Sequence, residues 1–348
     1  MYKIVHIVPG ILLIILLMGS AVPTASAQTA DSDPFDITPS AAVSLTWVAA
    51  PSEPITAGTN WTTVTVRITD QYGNTRTPDN TTVITVTRVS GSGSFASGFT
   101  ATVSAGIATF SALKYNTAET ITVNAIAAGL ANTTTTGNLV VNPAAGNNLT
   151  FVANPASITA GNTWASVTVR VADQFNNDVP GVEVAITTTI GTYMYGVLTA
   201  TSNASGIATF TPISMTVAST TQYALSASAA ACTTITSNGF TISSAAVSAI
   251  AFVAGNQPTT TEAGVSMSPV VYVRALDVYS NLVPNIVIDV IVSPTVGTLL
   301  YGTTQQNTTT VRQTTIADPG ATYGIAIFAD LSIRLTGTGF RLQATVVP

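Results

Sequence analysis

Cysteine occurs once in this chain, at Cys232, so no intrachain disulfide is possible and packing must hold the fold. The lone thiol reads as a small buried side chain, not a reactive one. Histidine also occurs once, at His6, within an apolar N-terminal stretch. A chain cleaved after that stretch has no histidine, which removes Ser-His-Asp, Cys-His and histidine-metal chemistry. Charge is scarce: only 7% of residues carry one, and lysine stands only at positions 3 and 114. The formal net charge of −5 provides no basic patch for nucleic acid and no polybasic membrane segment. No second long apolar run follows the first, so no membrane span is expected in the mature chain.

The opening residues have the layout of a secretory signal. Lys3 is a weak positive region, Ile11 to Met18 form the apolar segment, and Ala25-Ser26-Ala27 satisfies the small-x-small rule. Cleavage would leave Gln28 as the first residue. An uncleaved membrane anchor is the alternative, but the apolar run is short for it. The expected location is secreted, extracellular or cell-surface.

What is abundant is Thr, Ala, Val, Ile, Gly, Asn and Ser, a composition of strands and turns. The chain repeats at a spacing of roughly 103 residues. Trp47, Phe151 and Phe252 mark the first strands, and Ala57-Gly58, Ala160-Gly161 and Ala263-Gly264 the first turns. Arg67, Arg170 and Arg274 each precede Asp70, Asp173 and Asp277 by three residues. Gly106-Ile107-Ala108 recurs as Gly206-Ile207-Ala208 and Gly324-Ile325-Ala326. Val64, Val66 and Ile68 alternate with Thr65, Arg67 and Thr69, the period of a half-buried strand. Asp70 to Asn74 and Asp173 to Asn177 follow as turns. The expected fold is all-β, with three tandem β-sandwiches of about 100 residues each.

The motif Val169-Arg170-Val171-Ala172-Asp173-Gln174-Phe175-Asn176-Asn177, leading to Val179-Pro180-Gly181-Val182-Glu183-Val184, resembles the bacterial immunoglobulin-like repeats of the invasin and intimin type. Gly191-Thr192 and Gly206-Ile207-Ala208 fall where that family places its turns. The resemblance covers about residues 43 to 348 and implies an Ig-like sandwich serving as spacer, stalk or adhesive surface. The third repeat departs most, with an insertion around Gln305 to Tyr323. The expected organisation is a signal over 1–27, an N-terminal extension over 28–42, and Ig-like domains over 43–143, 144–244 and 245–348.

Three segments align without gaps: Phe35-Asp36-Ile37, Leu139-Val140-Val141 and Phe240-Thr241-Ile242. Each runs through a small-residue linker into the first strand of a repeat. The second and third close the preceding repeat, whereas the first has no repeat before it. After Phe340 to Val346 the third repeat lacks a closing strand. The expectation is head-to-tail self-association into an extracellular filament. Phe35 and Ile37 would form the donor strand, and Phe340, Leu342, Ala344 and Val346 the acceptor strand. A surface adhesin or stalk, or a piece of a longer repeat protein, is the alternative.

Other candidates for chemistry read as structure. Asp70, Asp173 and Asp277 occupy equivalent turns, so turn formation or an Arg-Asp surface pair outweighs a glycosidase-type carboxylate pair. Asp31, Asp33 and Asp36 read as a solvated tail more readily than a calcium site. Lys114 reads as a surface lysine and not an isopeptide donor. Trp47, Trp61 and Trp164 read as core, not as a carbohydrate platform. No catalytic, metal or cofactor-binding residue is expected, and no enzyme. Asn60, Asn80, Asn132, Asn148, Asn203 and Asn307 begin Asn-x-Ser/Thr sequons, candidate acceptors for covalently attached glycans.

Overall fold

The computed structural model describes residues 30–189, 193–293, 299–301, 306–308 and 310–348. The signal segment, Gly191-Thr192 and Gln305 lie outside the described residues. Residues 30–39 are grouped apart from Ser40–Pro348 and carry no strand.

Every described regular element from Ser44 onward is a β-strand. They fall into three groups that repeat one plan. In the first repeat, Ser44–Ala49, Val64–Thr69 and Ile107–Phe110 make one antiparallel sheet. The facing sheet runs Ile55–Thr56, Leu139–Asn142, Thr120–Ile126, Val83–Ser90 and Thr100–Thr102. Asn148–Ala153, Val167–Ala172 and Ile207–Phe210 repeat the first sheet, as do Val247–Phe252, Val271–Asp277 and Ile325–Phe328. The fold is the Ig-like sandwich expected from the repeat.

Alternation builds these sheets. Val64, Val66 and Ile68 are buried while Thr65 and Arg67 are half-exposed, and Val167, Val169 and Val171 do the same. β-Branched residues suit a pleated surface buried on one side. Each repeat has its own core: Val66, Val123 and Phe110 in the first, Val169, Leu225 and Phe210 in the second, Val273, Val290 and Phe328 in the third. The recurrent Gly-Ile-Ala step starts at φ +75°, +70° and +67° in Gly106, Gly206 and Gly324. At Gly106 a Cβ would also press on the Arg76 carbonyl, so glycine is required there twice over.

The tryptophans are structural. Trp61 and Trp164 are buried, and Trp164 meets Phe240 edge to face with centroids 5.3 Å apart. Trp47 packs half-buried on the first core and donates its Nε1–H to the Thr134 carbonyl. Two expectations need correction. Cys232 is half-buried, not buried, at the edge of the second core; burial still raises its thiol pKa. The proposed Arg-Asp pairing does not form in the second repeat, because Arg170 binds Asp178 and the Asn176 side chain and carbonyl instead. Asp173 is buried in the turn, filled by amides.

Candidate functional site

The difference among the three repeats that bears on a site is the slot for the closing strand. In the first repeat Leu139–Asn142 enters between two strands. Val141 and Asn142 pair parallel with Ile55 and Thr56, and Leu139 and Val140 pair antiparallel with Ile121 and Thr120. The Ala57 amide then donates to the Asn142 carbonyl at 2.8 Å. The second repeat is alike: Ile242 and Ser243 pair with Ile158 and Thr159, Phe240 pairs with Tyr223, and the Ala160 amide donates to Ser243 at 2.8 Å.

In the third repeat no described strand lies in that slot. Thr261 and Glu262, which correspond to Ile55-Thr56 and Ile158-Thr159, are not in a strand. A groove of about 890 Å³ opens instead between Thr259–Ala263 and Gly337–Leu342, with Phe252, Met267, Val292 and Ile333 among its apolar lining. Met267 stands where Trp61 and Trp164 stand, three residues after the turn glycine.

The facing strand records the difference residue by residue. Ile121, Val123 and Ala125 are buried, as are Tyr223, Leu225 and Ala227. Their counterparts Phe340, Leu342 and Ala344 pack on the third core but stay half-exposed. The strand is otherwise sound: Arg341–Val346 pairs with Val287–Ser293 over six residues in regular register. Phe340 and Leu342 line the groove; Ala344 and Val346, also expected in the acceptor, do not, and Val346 lies at the far end opposite Ile288.

Phe35 and Ile37 are 75% and 86% exposed. Downstream of them, the linker is built as the inter-repeat linkers are. The Ser40 amide donates to Asp70 Oδ2 at 3.0 Å, just as Ala144 donates to Asp173 Oδ2 and Ala245 to Asp277 Oδ2, both at 2.9 Å. Each amide lies five residues beyond its aligned Phe or Leu. Burial alone would raise the Asp70 pKa. The Asn74 side chain and the amides of Asn74, Ser40 and Tyr72 outweigh it and hold the carboxyl down to about 2. Asp277 is lowered against the same opposition from burial by Asn281, Ala245 and Tyr279.

The same turns also dock the repeats. Asn177 accepts from the Ala118 amide at 2.8 Å and donates to the Asn116 carbonyl at 2.7 Å. Asn281 accepts from Ala218 at 2.9 Å and donates to Thr216 at 2.8 Å. Beside each asparagine an aromatic ring covers a glycine of the preceding repeat. A Cβ on Gly58 would run into the Phe175 ring, and one on Gly161 into the Tyr279 hydroxyl. Phe175 packs on the first core from outside it.

Sequence reasoning singled out Phe340 and Leu342, which line the groove, but missed the groove floor and the docking role of the turns. An aromatic residue at every turn tip, Tyr72, Phe175 and Tyr279, was the available signal, since turn chemistry does not call for one. Of the sequon residues, Asn60, Asn80, Asn132, Asn148 and Asn203 are exposed. Asn307 lies in the strand Gln306–Thr308. Asp31, Asp33 and Asp36 are exposed, and no metal-ligating cluster occurs among the described residues. No helix among those residues is long and apolar enough to cross a membrane.

No family model matches the chain, and no curated protein matches it. Solved structures do. The Escherichia coli adhesin FdeC is 16% identical over 90% of this chain and 95% of its own, with a TM-score of 0.42. InvD of Yersinia pseudotuberculosis is 16% identical over 82% and 84%, also at 0.42. Invasin, a bacterial integrin-binding protein, is 15% identical over 87% of this chain and 57% of its own, at 0.37. These structural neighbours are bacterial adhesins of the invasin kind, the group that the repeat motifs resemble.

Proposed function

We propose that this chain is a secreted, non-enzymatic structural protein of the cell surface. Its Ig-like repeats act as a stalk, and its third repeat takes residues 35–38 of a second copy as a closing strand. Copies then join head to tail into an extracellular filament. The carrying observation is the groove between Thr259–Ala263 and Gly337–Leu342, at the position that Leu139–Asn142 and Phe240–Ser243 fill in the other two repeats.

The chemistry of the segment fits the groove. Phe35-Asp36-Ile37-Thr38 repeats Phe240-Thr241-Ile242-Ser243, with the apolar residues at the buried positions. Phe35 would lie opposite Phe340, as Phe240 lies opposite Tyr223. Burying two such side chains contributes roughly 1.5–3 kcal/mol each. Each ladder hydrogen bond adds about 0.5–1.5 kcal/mol net. Ordering the segment costs about 1–2 kcal/mol per residue and offsets part of this. Donor and acceptor are different surfaces, so the contact is heterologous and open-ended, which gives a fibre. Glycans on the exposed sequons would solvate a surface with few charges.

A second reading keeps the stalk without the polymer, as an adhesin or spacer. The hydrogen-bonded junctions at Asn177 and Asn281 favour it, because they fix successive repeats whether or not a second copy binds.

Electron microscopy of the purified mature chain separates the two. Ordered filaments are expected, and Phe35→Asp with Ile37→Asp abolishes them while the first two repeats stay folded. Filaments of normal length from that variant overturn strand donation. A wild-type chain that stays monomeric at high concentration leaves the spacer reading.

A further inference from the structure

The two filled slots are neutral on their outward face. Val140 and Thr241 are the outward residues of the closing strands, between the buried pairs Leu139/Val141 and Phe240/Ile242. On the strand that faces them, Thr122 and Ala224 hold the outward position between buried Ile121/Val123 and Tyr223/Leu225. On the other side stand Thr56, opposite Asn142, and Thr159, opposite Ser243 with the two hydroxyls 3.3 Å apart.

The third slot has a charge at both places. Arg341 takes the position of Thr122 and Ala224, and Glu262 that of Thr56 and Thr159. Both line the groove and both are exposed. Neither has an ion-pair partner among the described residues. Only 7% of the chain is charged, so opposite charges on the two edges of one slot, and on neither edge of the other two, set that slot apart. In residues 35–38 the outward position of Val140 and Thr241 is taken by Asp36, which is exposed.

We infer that Arg341 of one copy pairs with Asp36 of a second copy, and that this ion pair selects residues 35–38 as the strand the third repeat accepts. This rests on strand donation and names what makes the groove prefer that strand. In the first repeat Leu139 lies opposite Ile121 and Val140 opposite Thr120. The same register sets Phe35 opposite Phe340 and Asp36 opposite Gly339, which has no side chain. Arg341 is then the diagonal neighbour of Asp36 on the outward face, roughly 7–8 Å away along the backbone and within reach of a long side chain. The third repeat already holds one outward pair of this kind: Arg312 binds Asp289 on the adjacent strand through two bonds of 2.8 and 2.9 Å. On the other edge Thr38 falls opposite Glu262, where its hydroxyl donates to the carboxylate, a charge-assisted bond in place of the hydroxyl contact of Ser243 with Thr159. A strand with a neutral outward residue, such as Leu139–Asn142 or Phe240–Ser243, would desolvate Arg341 without a counter-charge. That penalty is the repulsive half of the selection.

The test uses the full mature chain and reads the critical concentration for filament assembly. Arg341→Asp alone and Asp36→Arg alone are each expected to raise it at least about fivefold, and the two together to restore it to within about twofold of wild type. Both positions are exposed, so the melting of each repeat should not move. Wild-type assembly should weaken as salt rises from about 0.05 to 0.5 M, and Arg341→Gln should flatten that dependence. Asp36→Thr, which copies the outward residue of Phe240–Ser243, should assemble as poorly as Asp36→Arg or slightly better. No rescue in the swapped double variant overturns the pair, as does rescue of Arg341→Asp by Asp33→Arg in place of Asp36→Arg. In either case strand donation stands if wild-type filaments form and Phe35→Asp with Ile37→Asp abolishes them. If wild-type chain forms no filaments, or that apolar variant forms normal ones, strand donation falls and the ion pair falls with it.

Discussion

The second and third repeats begin alike and finish differently. Both lay a first strand on an Arg-bearing second strand, Phe151 against Val169 and Phe252 against Val273. Both anchor the following turn with an amide-to-carbonyl rung, Trp164 to Ile213 and Met267 to Leu331. In the second, Phe240 then seals the sheet between Trp164 and Tyr223, with ring centroids 5.3 and 6.0 Å away. In the third, Met267 and Phe340 occupy the places of those two rings, with a groove between them. A single four-residue strand separates a closed sandwich from an open one. Under the proposed strand donation, that open edge is where an extended, apolar segment would bind.

The sharpest way to break this comparison is to open the closed repeat. Phe240→Ala should cost about 3–5 kcal/mol in the second repeat. Phe340→Ala, at a half-exposed position, should cost less than half of that; denaturant melts of the two variants measure both. Equal losses would mean that the third repeat is already sealed. The converse is to close the open repeat. Joining residues 31–41 after Pro348 through a flexible Gly/Ser linker should raise the melting temperature of the third repeat. The expected gain is roughly 4–8 °C for each kcal/mol of net binding, and filaments should disappear as the groove fills in cis.

A smaller contrast lies in acid. Asp70 and Glu119, both in the first repeat, are held down to about 2 against the opposing effect of burial; Tyr115 and the Ser92 and Gly93 amides do this for Glu119. A depressed carboxyl pKa stabilises the fold fully above its unfolded value and loses that effect as pH falls through its folded value. The first repeat should therefore weaken between about pH 4.5 and 2. Trp47 and Trp61 fluorescence would follow it, and a flat profile over that range would contradict the hydrogen-bond network. Least of all, Cys232 should react several-fold more slowly than a free thiol at pH 8, because burial disfavours its thiolate. A rate equal to that of a small-molecule thiol would place it outside the second core.

Much of this was legible in the sequence, for reasons particular residues make plain. Val64, Val66 and Ile68 have a period that only a half-buried strand explains, and the Asp turns recur in register. The gapless match of Leu139 to Phe240 marks the strands that close the first two repeats. The groove floor was not legible, because Phe252, Met267 and Val292 come from separate strands and look like ordinary core residues in a linear reading. Asn177 and Phe175 hid for another reason. Each suffices as a turn residue, so nothing local hinted at a second task. Val346 was placed in the acceptor by alternation alone, which cannot say where along a strand a groove ends.

The bond from the Ser40 amide to Asp70 carries one more consequence. It ties Ser40, at the root of the proposed donor segment, to Asp70 at 3.0 Å, much as Ala144 and Ala245 are tied at 2.9 Å. A joint between molecules would then have the geometry of a joint within one. Seen at low magnification, such a fibre would be banded at the spacing of single Ig-like units. The seams between polypeptides would be invisible until side chains could be told apart.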